Sequence, residues 1–230
     1  MVIANGYDRS DAVAQATNAG AAGIDGASAT SIGAFSPDGY APKAGTAGTD
    51  GAPGKGGTGG NGGPRYGGSG SLADSNKYYY GAAGAGGGAG GCPGLAGAPG
   101  GGGGGSIAAV VLASPGLTLT TVELVAGDGG RGGKGTFGSL LQPGGTPGTT
   151  PAGSTPAKSG TFGGRAGFSG NGAGGPSVAL AFTGGAVVLS PDTHLTAGTA
   201  GAGVIARTEP FTSVTMPASV PGPSMPVLQF

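Results

Sequence analysis

Residues 45–63 read GTAGTDGAPGKGGTGGNGG, with glycine at 45, 48, 51, 54, 57, 60 and 63. A residue type that returns every third place marks one face of a polyproline-II helix, which has three residues per turn and about 3.1 Å rise. It matches neither the 3.6-residue turn of an α-helix nor the two-residue alternation of a strand. Glycine on one face lets neighbouring backbones come close enough for N–H and C=O groups to pair, helped by weak Cα–H···O contacts. Glycine also loses the most backbone entropy on ordering. An isolated strand of this kind would not hold, so the pattern demands a bundle.

The same phase recurs along the chain, at Gly20, Gly23 and Gly26, at Gly81 to Gly90, at Gly91 to Gly103, at Gly127 to Gly133, at Gly164 to Gly170, and at Gly198 and Gly201. Collagen requires long unbroken Gly-X-Y, and these runs are short. Tyr66, the Tyr78-Tyr79-Tyr80 cluster and apolar stretches break their register. An intramolecular bundle of short antiparallel strands is expected.

Between the glycine runs lie β-like stretches. Ile107–Leu112, Ser114-Pro115-Gly116 and Leu117–Val125 read as strand, turn and strand, with β-branched enrichment. The parity of Leu117 and Leu119 against Val122 and Leu124 flips, which predicts a bulge. The arrangement returns 71 residues later, where Ser106, Ala108, Leu124, Ala126, Gly127, Gly130 and Gly132 align with Ser177, Ala179, Leu195, Ala197, Gly198, Gly201 and Gly203. An internal repeat implies modules that bury faces against each other. The expected fold class is therefore non-helical: a bundle of polyglycine-II/polyproline-II strands combined with short β-hairpins, all-β and repeat-like. Its expected divisions are an N-terminal segment (1–18), a glycine-triplet region (19–105), a first β-hairpin repeat (106–137), a Pro/Gly/Thr loop (138–160), a second β-hairpin repeat (161–204) and an extended Pro-rich tail (205–230). Val227, Leu228 and Phe230 are expected to anchor that tail to the body or to another subunit.

Composition narrows the function classes. Glycine supplies 60 of 230 residues, against a usual share of roughly 7 %. Ten basic and ten acidic residues cancel. The basic ones are scattered singly, which argues against nucleic acid, since phosphate binding needs clustered Lys and Arg. No run of eighteen apolar residues predicts a membrane span. Met1 to Gly20 has no apolar stretch of signal-peptide type. Cys92, alone, has no internal disulfide partner and reads as a small side chain among glycines.

Catalytic patterns fail on spacing. Lys55 and Lys134 follow glycine but precede glycine, where a phosphate-binding loop needs Ser or Thr. Ser69 and Ser169 lack the flanking glycines of a nucleophile elbow. His194 is the only histidine; with Asp192 nearby but no oxyanion site or second ligand indicated, it predicts neither a triad nor a zinc site. Asp25, Asp38, Asp50, Asp74 and Asp128 are isolated and form no calcium loop. No enzyme activity, cofactor or metal is expected. The one tempting group is aromatic: Tyr66, Tyr78, Tyr79 and Tyr80, with Tyr40, offer stacking faces for a sugar or a protein partner, or else cap the bundle.

At GTAGTDGAPGKGGTGGNGG and at the two repeat tracts, GGGGGSIAAVVLASPGLTLTTVELVAGDGGRGG and GNGAGGPSVALAFTGGAVVLSPDTHLTAGTAGAG, the chain resembles glycine-rich, PGRS-like bacterial surface proteins of the myxobacterial type. It is similar, more weakly, to the polyglycine-II adhesins of phage tail fibres and to springtail antifreeze proteins. The resemblance implies an extracellular or cell-surface setting without catalysis. The expected function is a non-catalytic structural protein of the bacterial cell surface or of an extracellular filament. Its expected partners are further copies of itself and a cell-surface glycan or protein. An adhesin tip using the Tyr-rich loops and an ice-binding protein are the alternatives.

Overall fold

The computed structural model describes residues 19–36, 38–63, 82–151, 154–210 and 213–230. Among them there is no helix; eleven short strands lie between long stretches of extended chain that belong to no sheet. The chain divides into two compact units. Unit 1 draws on Met1–Gly23, Asp50–Leu95 and Ser139–Ala166, and unit 2 on Ile24–Thr49, Ala96–Gly138 and Gly167–Phe230.

In unit 2 the organising feature is the segment 167–177. Its consecutive N–H groups aim at different neighbours in a strict rotation. Gly167, Gly170 and Ala173 donate to the carbonyls of Thr49, Thr46 and Lys43. Ser169, Gly172 and Gly175 donate to those of Thr136, Gly133 and Gly130. The third set falls on Phe168, bonded to Asp25 Oδ1, on Asn171, bonded to Ser28 Oγ, and on Gly174, bonded to Val220 O. Carbonyls of the same segment accept from Gly26 and Ala29, from Gly100, Gly103 and Ser106, and from Gly201. Stretches of chain around residues 26, 46, 103, 133, 201 and 220 thus all bond to one segment, each at three-residue steps where more than one bond is made.

That arrangement explains the glycines. A Cβ on Gly170 would lie 1.9 Å from Ala27 O, and one on Gly167 would lie 1.9 Å from Ile24 O. Only a residue without a side chain fits there. Where 167–177 does carry side chains they are buried, Phe168 included, and Ser169, Asn171 and Ala173 are inaccessible to solvent. The neighbours run both ways. The stretches around 26, 103 and 220 advance with 167–177, while those around 46 and 133 run against it. The expected all-antiparallel bundle is corrected: a backbone with three-fold donors accepts either direction.

Unit 1 repeats the pattern around 155–164. Thr155, Lys158, Thr161 and Gly164 donate to Asn61, Thr58, Lys55 and Ala52, while Gly88, Gly91 and Gly94 donate to Lys158, Thr161 and Gly164. Gly160 and Gly163 reach Gly145 and Gln142, and Gly20 and Gly23 reach Phe162 and Arg165.

All the strands belong to unit 2. β1 (Gly33–Ser36) and β2 (Gly39–Pro42) form an antiparallel hairpin. β3 (Ser106–Ser114), β4 (Leu117–Leu119) and β5 (Glu123–Val125) make up the first apolar module, and β6 (Ser177–Gly184), β7 (Val187–Leu189) and β8 (His194–Thr196) the second. β9 (Arg207–Thr208) and β10 (Thr215–Met216) form a second short antiparallel pair, and β11 (Ser224–Gln229) closes the chain.

The modules are not hairpins, which corrects that part of the expected fold. Each strand of the first module pairs in parallel with its counterpart in the second: β3 with β6, β4 with β7, and β5 with β8. Ser106 stands beside Ser177, and Leu124 beside Leu195. Pro115-Gly116 therefore turns a corner and does not reverse the chain. The pairing gains a residue and loses it again. After Val111 opposite Phe182, Ser114 faces Gly184, because the first module carries an extra residue at Ala113, whose φ is 50°. The second module recovers the step between Leu189 and His194. The parity flip before Val122 comes from Thr121, at φ 52°, between β4 and β5.

The tail returns as β11 along the other side of β6, giving the parallel order β11-β6-β3. β6 thereby becomes the core strand, with Val178, Ala179, Leu180 and Ala181 all inaccessible.

Candidate functional site

In unit 2 the stretches ending near residues 29, 106, 177 and 223 run in the same direction, as their shared hydrogen-bond steps require. The chain therefore leaves the glycine scaffold four times at one end. The excursions are the β1–β2 hairpin, the β3–β5 module, the β6–β8 module and β11. Glycine-rich segments carry few side chains, so these excursions supply most of the chemical variety of the unit.

The hairpin and the tail meet through aromatic rings. Phe35 lies 5.1 Å from Tyr40 and 4.8 Å from Phe230, centroid to centroid, in tilted geometries that suit ring quadrupoles. The Tyr40 hydroxyl donates to Ile32 O, and burial raises its pKa above the ordinary tyrosine value. The modules expose apolar side chains: Val110, Leu112, Val125, Val188 and Leu189. They lie on strands of both modules, so the apolar exposure is shared between the two.

A polar knot ties the β9–β10 pair to the scaffold. Asn171 Oδ1 accepts from Gly135 N at 3.0 Å and from Arg207 at 3.1 Å, while its Nδ2 donates to Pro217 O at 2.9 Å. Ser28 Oγ donates to the same Pro217 carbonyl at 2.7 Å. The Arg207 guanidinium also reaches Gly135 O and Met216 Sδ and lies over the Phe137 ring, 5.4 Å from its centroid. One terminal nitrogen of Arg207 makes all of these guanidinium bonds, while its buried Nε has no partner among the described residues.

Small hydroxyls do the same work in both units. Thr49 and Thr46 accept from Ile24 N and Ala27 N, and Thr161 and Thr155 from Lys55 N and Asn61 N.

Tyr66, Tyr78, Tyr79 and Tyr80 lie outside the described residues. Tyr40, grouped with them on sequence grounds, instead joins Phe35 and Phe230. Phe230 was legible as a tail anchor. Phe35 was not, because a lone Phe before a Ser-Pro-Asp-Gly turn carries no periodic signal. His194 opens β8, exposed, in register with Glu123, and its N–H donates to Val122 O. Cys92 is an exposed free thiol. Among the described residues no group of three His, Cys, Asp or Glu side chains gathers as around a metal ion, and no helix is long and apolar enough to cross a membrane. No protein-family model, curated protein or solved structure matches this chain.

Proposed function

We propose that this chain is a non-catalytic structural and binding protein of a bacterial cell surface or extracellular assembly, built as a polyglycine-II bundle that carries a contact surface at one end of unit 2. The observation that carries the reading is the rotation of the N–H groups of 167–177 among three sets of neighbours. A three-fold donor pattern is the mark of a polyglycine-II lattice. Such a lattice is bonded through backbone groups, and its use is to position what it carries. The four excursions at one end, with their exposed apolar residues, support that end as the part that touches a partner. An apolar surface rimmed by polar chain is the usual form of an interaction site.

The ice-binding reading has less support. It needs a flat, regularly spaced face of Thr or Ala, and the Thr hydroxyls at 46, 49, 155 and 161 accept scaffold N–H groups.

The test has two arms. Immunogold labelling of the producing cells should find the chain outside the envelope. Labelled protein should adhere to intact cells, and adhesion should be lost in L112S/V188S/L189S while the thermal melt survives. Retention inside the cell, or adhesion indifferent to the triple variant, contradicts the proposal.

A further inference from the structure

The sheet β11-β6-β3 has two outer edges, and they differ. Ser177 N donates to Pro223 O, so odd-numbered residues of β6 face β11, and Met225, Val227 and Gln229 face back. The alternation of a parallel ladder then puts Pro226 on the outer edge of β11. Proline has no N–H to offer, and a proline on an edge is a standard block against further pairing. At the other edge, Ser106 N donates to Pro176 O, so Ser106, Ala108 and Val110 face β6. The N–H and C=O groups of Ile107, Ala109 and Val111 face outward, and β3 pairs with no strand but β6 among the described residues. This edge is nine residues long, SIAAVVLAS, with no charge and no proline. The bulge at Ala113 interrupts only its far end; along 106–111 no charge, no proline and no pairing strand protects it among the described residues.

We infer that β3 is a self-association edge, pairing antiparallel with β3 of a second copy around a two-fold axis at Ala109. A second copy is the occupant favoured by three features. The outward groups at 107, 109 and 111 are symmetric about Ala109, so one edge satisfies its own image, as a two-fold interface requires. No charge opposes its like across the axis. Pro226 closes the other edge, so pairing ends at two chains and does not propagate. In the dimer Ile107 stands opposite Val111 of the second copy, and Val110 opposite its Ala108. The exposed Ala108, Val110 and Leu112 then form one apolar row across both copies. The inference stands on the backbone edge of β3, and its apolar row shares Val110 and Leu112 with the proposed contact surface; Ala109→Pro, which alters neither, separates the two.

Light scattering on the full-length protein over a dilution series tests it. The mass should rise from 20.9 kDa to twice that value and stop there. Val110→Lys puts a like charge on each side of the axis and should weaken the dimer at least about fivefold. Ala109→Pro deletes an outward N–H without touching a β3–β6 bond and should abolish it. Both variants should keep a cooperative melt. Should either one fail to fold, amide exchange on the native chain decides, because Ile107, Ala109 and Val111 should exchange more slowly as concentration rises. A monomer at every concentration overturns the inference. So does a dimer unmoved by a folded variant, a mass that grows without limit, or exchange at 107, 109 and 111 that ignores concentration.

Discussion

Ser169 accepts the Gly48 N–H on its hydroxyl at 3.0 Å and passes its own proton to Gly97 O. One triplet earlier, Gly45 N donates directly to Gly100 O. At Gly48 the corresponding direct bond is replaced by a hydroxyl relay, and Ser169 itself is inaccessible to solvent. A scaffold made of backbone tolerates a side chain in its interior when that side chain behaves as another backbone group.

Ser169→Ala leaves the Gly48 N–H and the Gly97 carbonyl without that relay. The expected loss is about 1–3 kcal/mol, the cost of buried polar groups left unpaired. Chemical denaturation of the two proteins measures it.

The run Gly100 to Gly105 looks uniform in sequence and is not uniform in space. A Cβ would lie 2.1 Å from Gly133 O at Gly100 and 2.0 Å from Gly130 O at Gly103, but at Gly101 and Gly104 it would meet nothing within 4 Å. Gly100→Ala and Gly103→Ala should each destabilise by about 1–3 kcal/mol or more, as overpacking does. Gly101→Ala and Gly104→Ala should be neutral or stabilising by about 0.4–1 kcal/mol, because alanine restricts the unfolded chain. An alanine scan read by thermal melts should show that three-residue alternation within identical residues.

Much of this was legible in the sequence, within a physical limit. The glycine phase shows which face of a segment packs closely. It says nothing about which neighbour lies there, or its direction, because one glycine face fits any other. The offset of 71 residues was visible through Ser106 and Leu124, which stand beside Ser177 and Leu195. Its pairing was missed because strand, Pro-Gly and strand describe a corner as well as a reversal. The middle of the repeat does not align at that offset, since Leu117 faces Val187 after the extra residue at Ala113. Asn171 and Arg207 gave no signal at all; their meeting depends on segments brought together by the bundle.

Asn171→Ala should cost more than Ser169→Ala. It removes an acceptor from Gly135 N and from Arg207, and a donor to Pro217 O. The loss should exceed about 3 kcal/mol, since several buried groups lose partners at about 1–3 kcal/mol each. Asn171→Asp keeps the acceptor and deletes the Nδ2 donor. Comparing the two melts separates the two ends of the amide.

Stability should fall at alkaline pH through Tyr40. Burial raises its folded pKa above the ordinary 10.0. The stability it contributes is fully present below pH 10.0 and is lost as pH rises through the folded value. Tyr40→Phe should flatten this alkaline limb of a melting-temperature profile, while lowering stability at neutral pH through the lost bond to Ile32 O.

Scalar couplings across hydrogen bonds report donor and acceptor, and so read the three-fold rotation around 167–177 directly. In a long-range HNCO spectrum, cross-peaks are expected from the amide nitrogens of Gly167, Gly170 and Ala173 to the carbonyl carbons of Thr49, Thr46 and Lys43. A second set is expected from Ser169, Gly172 and Gly175 to Thr136, Gly133 and Gly130. Cross-peaks alternating between two neighbours, as in a β-sheet, would contradict that rotation, and so would their absence in a chain whose amides exchange freely.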